Sequence, residues 1–201
     1  MRCLTCLALS LGYLSTLTLS ADTKPTPGGP SKEETTAFVE GYTNVHIVYG
    51  NSEDHSLTSR LQVEGCKLVL AQTRTRDAYR GGYREFSEFE FTIHLVDVSP
   101  ETVTVAESYG FADLPTIPHA GLQIRTKNLQ PRIGARSRHC TAFRKDGGRL
   151  ADVCPDYREW QALASVSSVD IGVAYWQIDP QRVAKALRHL VGQCGGKSEP
   201  F

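Results

Sequence analysis

A net charge is what this 201-residue sequence most plainly lacks: 22 lysines and arginines are matched by 22 aspartates and glutamates. Without an overall positive field, nucleic acid is not the expected partner. No Gly-x-Ser-x-Gly elbow occurs, and the Ser, His and Asp residues follow no recognised spacing, so no hydrolase is announced. The histidines, His46, His55, His94, His119, His139 and His189, form neither His-Glu-x-x-His nor His-x-His. No metal and no cofactor is therefore expected. Internal repeats are missing, which sets aside solenoids and propellers.

An uninterrupted membrane span is also missing. Met1 to Ala21 carries one cation, Arg2, and then leucines broken by Thr5, Ser10, Ser15, Thr16 and Thr18. The stretch barely reaches the ~20 apolar residues that a span requires. Small residues, Ser20 and Ala21, follow before the chain turns polar at Asp22. This is the layout of a signal peptide over residues 1–21, cleaved after Ser20 or Ala21, with no transmembrane anchor left behind. The expected location is exported, periplasmic or extracellular. Residues 22–36, rich in Pro, Gly, Thr and charge, read as a disordered linker, and 37–201 as one β-rich domain.

Export changes the meaning of the cysteines. Cys3 and Cys6 leave with the leader, and Cys66, Cys140, Cys154 and Cys194 remain at spacings of 74, 14 and 40, which fit no zinc pattern. Four cysteines allow three pairings, and buried free thiols are the plainer alternative. Lys145-Asp146-Gly147-Gly148 is a turn signal that would fold position 140 against its partner strand, which favours Cys140–Cys154 together with Cys66–Cys194. In the chain-entropy model the short loop contributes about 3 kcal/mol and the long one about 5 kcal/mol.

Along the domain, Ser31 and Glu34 have capping-box spacing, predicting a short helix over 32–40 ended by Gly41. Val45, Ile47 and Tyr49 mark a first strand. A long β-rich run follows from Leu61 to Thr75, then a run from Arg84 to Val98 in which Phe89, Phe91, Ile93 and Leu95 oppose Glu88, Glu90, Thr92 and His94. Further strands are predicted at 102–105, 122–125, 136–144, 148–154 and 169–175, with an irregular stretch from Tyr109 to His119. Asp179, Pro180 and Gly195-Gly196 punctuate a terminal helix over 180–194, with Val183, Leu187, Leu190, Val191 and Cys194 forming one stripe. The expected fold is mainly β: an antiparallel sandwich or partly open barrel of about seven strands, capped by the C-terminal α-helix.

Phe91-Thr-Ile-His-Leu-Val-Asp-Val-Ser-Pro-Glu-Thr-Val-Thr-Val resembles the strand–turn–strand of pleckstrin-homology-like and GRAM-like domains. Pro180 to Gly196, with Ala184-Lys-Ala-Leu-Arg-His-Leu and Cys194-Gly-Gly-Lys, resembles the last helix of uncharacterised exported bacterial proteins. The resemblance implies a seven-strand barrel closed by a helix, no enzymatic activity, and a role in binding lipid head groups, peptides or proteins.

Charge, balanced overall, is uneven locally. Eight basic residues lie between Arg125 and Arg149 against Asp146 alone. Arg136 and Arg138 would share a strand face, with Arg132 in the loop before it. The expected function is a non-enzymatic binding or adaptor module that engages an anionic ligand or acidic protein partner through Arg132, Arg136 and Arg138. The plainer reading is a strand's solvent face that is basic by accident, or that pairs with the acidic stretch from Glu33 to Glu64. A carrier holding a lipid or small molecule inside the barrel is the alternative function. Glu88 and Glu90 on one strand face have glycosidase-like separation, but such alternation usually keeps a face wet. The Arg80-Gly-Gly-Tyr83-Arg84 tip, backed by Tyr79, is a candidate contact loop.

Overall fold

Ser31 opens the first helix, its hydroxyl accepting from Glu34 N while Glu34 returns a carboxylate to Ser31 N at 2.8 Å. The computed structural model describes residues 29–49, 55–78, 83–109, 117–143 and 154–197. The leader, most of the linker, the Tyr79–Gly82 tip and the Lys145–Gly148 turn with its following strand lie outside those residues. Helix α1 spans Lys32–Thr43. It therefore takes in residues 32–36, and it runs through Gly41 rather than stopping there. A mid-helix glycine costs about 1 kcal/mol. Burial of Val39 and Thr43 on either side of it holds the last turn against the core.

Nine strands follow among the described residues: β1 Val45–Tyr49, β2 His55–Glu64, β3 Lys67–Ala78, β4 Tyr83–His94, β5 Thr104–Tyr109, β6 Ile117–Arg125, β7 Gly134–Phe143, β8 Gln161–Ala162 and β9 Ser168–Gly172. They form two antiparallel sheets, one of six strands in the order β1-β2-β3-β4-β7-β8 and one of three in the order β5-β6-β9. Helix α2, Pro180–Gln193, closes the chain. The class is mainly β with a C-terminal helix, as expected, but the sheets do not join into one barrel of seven.

The differences have local causes. The β-rich run read as one strand is two, because Gly65 takes a left-handed φ of +65° where a type II′ hairpin favours glycine, closing Glu64 against Lys67. Pro118 does not exclude a strand. It pairs with Ser108 outside the β9 ladder, which covers Gly121 to Arg125, so among the described residues only one side of the strand there has a paired neighbour. Strand β9 ends at Gly172, and Tyr175 sits exposed in the following turn. β1 covers β2 only as far as Ser59. Past it, the edge N–H groups of Leu61 and Val63 donate to the side chains of Asn44 and Glu40, at 2.9 and 2.6 Å.

The core lies between the sheets and the helices. Leu61, Leu68, Leu70 and Ile93 from the large sheet meet Leu122, Ile124 and Ile171 from the small one, and α2 adds Val183, Leu187, Leu190 and Val191. Each such side chain contributes about 1.5–3 kcal/mol on burial. A β-carbon on Gly172 would lie 2.6 Å from Val45 Cγ2 and 3.2 Å from Ser59 Cβ, so glycine is what lets β9 approach β1 and β2. Two disulfides fasten the unit. Cys66–Cys194 joins the β2–β3 turn to the end of α2, and Cys140–Cys154 joins β7 to the chain that returns over it, with Cα separations of 5.5 and 5.8 Å.

Candidate functional site

Alternation along β4 sends Phe89, Phe91 and Ile93 to the core side, leaving Phe86, Glu88, Glu90 and Thr92 on the outer face. The β4–β7 register then sets Arg138 directly opposite Glu88 and Arg136 opposite Glu90. Cross-strand neighbours of opposite charge attract. Arg136 Nη2 lies 2.6 Å from Glu90 Oε1, and Arg138 pairs with Glu88. Arg132 stands apart and binds Asp97, in the turn after β4, at 2.6 Å. The three arginines expected to form an open basic patch are thus each matched by a carboxylate. The partners come from β4 and the turn after it, not from residues 33–64. The segment's Arg144, Lys145 and Arg149 lie outside the described residues.

Over this charged ladder runs a strap, residues 154–163, pinned at both ends. One end is the Cys140–Cys154 bond, which sets Cys154 Sγ 3.7 Å from Thr141 O. At the other end β8 pairs with Arg136 and Ser137, and Leu163 N donates to Ala135 O at 2.9 Å. A single 3-10 turn, Pro155–Arg158, takes up the slack between them. The strap carries two aromatic rings. Trp160 lies over both guanidiniums, 4.7 Å from each, and Tyr157 receives Arg138 at 4.5 Å while meeting Phe86 edge-on at 5.3 Å. Burial pushes the Tyr157 phenol well above its ordinary range, and its hydrogen bond to the Glu88 carboxylate adds to the shift. The phenol therefore stays protonated and donates. The Glu90 hydrogen bond likewise raises Arg136.

Beside Trp160 the outer face dips into a groove of about 270 Å³. Its lining comes from Thr58 and Arg60 of β2, Ala71 and Thr73 of β3, and Glu88 and Glu90 of β4. The groove combines one aromatic wall, two hydroxyls, a guanidinium and two carboxylates. No protein-family model matches the chain, nor does any curated protein or solved structure.

Among the described residues no three His, Cys, Asp or Glu side chains converge as a metal would need, and no helix is long and apolar enough to cross a membrane. Glu88 and Glu90 do share one face, but each is engaged by an arginine. On the opposite face Ser87 Oγ meets His139 Nδ1 at 2.7 Å, and His139 Nε2 meets Thr141 at 3.1 Å, a short cross-strand polar chain. Trp160 and Tyr157 were missed in the sequence. Their signal was two aromatics three residues apart just after a cysteine, in a stretch with neither strand nor helix period.

Proposed function

We propose that this chain is an exported, non-enzymatic binding module whose seat is the outer-face groove, and that its ligand is a sugar ring presenting vicinal hydroxyls. The observation that carries this reading is Trp160, held across Arg136 and Arg138 at the border of a groove with both carboxylates and a guanidinium in its lining. A saccharide needs an apolar ring wall and fixed donors and acceptors for its hydroxyls. Carboxylates accept from hydroxyls, guanidiniums donate to them, and an aromatic wall packs against the ring's C–H edge. Arg132, Arg136 and Arg138, the residues of the expected anion site, each already hold a carboxylate. Hydroxyl recognition therefore suits the groove better than the anion site expected from composition. The carrier alternative has no comparable observation behind it.

Two disulfide-bonded pairs fit an oxidising, extracytoplasmic location, as the leader-like first 21 residues suggest. A relationship to pleckstrin-homology-like domains stays part of this proposal on the sequence resemblance alone, for the two antiparallel sheets and C-terminal helix form no closed barrel.

Tryptophan fluorescence tests the reading, since the chain has only two tryptophans. With Trp176→Phe as background, Trp160 is the only tryptophan reporter. Soluble oligosaccharides should perturb its emission saturably, with little difference between low and high salt, and Glu90→Gln should weaken the response. A response to polyanions alone, abolished by salt, would return the site to the anion reading. No response from an oligosaccharide panel would defeat the sugar assignment.

A further inference from the structure

The two disulfides differ in what surrounds their sulfurs. Cys66, in the β2–β3 turn, is exposed, and Cys194, capping α2, is partly so. Lys32, in the first turn of α1, brings Nζ to 3.2 Å from Cys66 Sγ. The Gly65 carbonyl oxygen lies 3.9 Å from Cys194 Sγ. A cation thus faces one sulfur of the pair and the negative end of a dipole faces the other. By contrast Cys140 is 3% exposed beneath the strap, and the polar group against its partner Cys154 is a carbonyl.

Thiol–disulfide exchange proceeds by attack of a thiolate on one sulfur while the other leaves as a thiolate, and it is faster when the leaving thiolate is stabilised. An adjacent lysine does this by charge attraction. Negative charge is favoured on Cys66 and disfavoured on Cys194, so the bond is polarised in one direction.

We propose that Cys66–Cys194 is a thiol-exchange site of fixed polarity whose partner is an exposed dithiol. One partner thiolate forms a bond to Cys194 Sγ as the Cys66–Cys194 bond breaks. The electron pair of that bond departs on Cys66, as a thiolate held against the Lys32 ammonium. The partner's second thiolate then attacks its own mixed-disulfide sulfur. Cys194 leaves as a thiolate and takes a proton from water, the partner becomes a disulfide, and two electrons have passed to this chain. Lys32 acts on the leaving group and is not itself altered. The inference is independent of the groove and its ligand.

The test starts from protein with both disulfides closed, treated with dithiothreitol under native conditions, quenched at intervals with an alkylating reagent and mapped by mass spectrometry. Cys66 and Cys194 should label before Cys140 and Cys154. Lys32→Met should slow that labelling about three- to tenfold, and Lys32→Arg should restore most of the rate. With glutathione in place of the dithiol, the trapped adduct should sit on Cys194. Earlier labelling of Cys140 and Cys154, an adduct on Cys66, or an unchanged rate in Lys32→Met would each overturn the proposal. Recovery by Arg separates the charge from any effect of the substitution on α1.

Discussion

The two disulfides fasten unlike kinds of structure. Cys66–Cys194 spans 128 residues and joins a hairpin turn to a helix already held by five buried side chains, Val183, Ala184, Leu187, Leu190 and Val191. Cys140–Cys154 spans 14 residues and anchors an irregular strap whose other fastening is a two-residue strand. The first bond is expected to constrain chiefly the unfolded chain, since α2 is also held by its buried side chains. The second shapes the native state, because it is one of two fastenings that keep Trp160 and Tyr157 over the arginines. A cross-link's effect on stability and its effect on a site are therefore separate quantities, and here they are divided between two bonds.

Breaking each bond in turn should separate them. Cys66→Ser with Cys194→Ser should give the largest loss of stability, about 5 kcal/mol in the chain-entropy model, read by urea unfolding. Where the protein is folded, Trp160 emission should be unchanged. Cys140→Ser with Cys154→Ser should lose less, about 3 kcal/mol, yet shift Trp160 emission to the red and abolish saccharide response. If the first pair disturbs Trp160 as much as the second, the division fails.

Tyr157→Phe probes the strap from within. The folded phenol titrates above the unfolded one, so the stabilisation it gives is complete below about pH 10, the ordinary phenol value, and is lost as pH rises towards the folded value. Urea unfolding should show the native protein losing stability above that point and Tyr157→Phe losing less of it. Below it the variant should be less stable by about 1 kcal/mol, the usual worth of one hydrogen bond. The smallest effect belongs to Arg132→Gln. Its pair with Asp97 is exposed on the arginine side, and such pairs contribute about 0–1 kcal/mol. Saccharide response should not change, whereas Arg138→Gln, which removes a support of both strap rings, should diminish it.

Much of the scaffold could be read from the chain. The alternation of Phe89, Phe91 and Ile93 against Glu88 and Glu90 survives in β4, and Asp179 and Pro180 do open α2. What periodicity cannot carry is register. The sequence puts Arg136 and Arg138 on one face, but only the β4–β7 pairing reveals that Glu90 and Glu88 are opposite them. That pairing turns an apparent basic patch into a neutral ladder. Gly65 hides in a β-rich run because the turn it makes is only two residues long. The strap is less legible still, since a single 3-10 turn and a two-residue strand leave no repeat to detect. Its aromatic residues acquire meaning only once Cys154 is fixed over β7.

The strap has a consequence for how the sheet ends. β7 is ten residues long, and β8 pairs with only Arg136 and Ser137 along its outer edge. A bare edge of that length is a template on which another chain can add a strand. By pairing with Arg136 and Ser137 and donating to the Ala135 carbonyl, the strap occupies this part of the β7 edge. The covalent bond that holds an indole in position therefore also helps to keep a strand on this edge, and opening it should leave residues 135–137 more accessible to strand addition by another molecule.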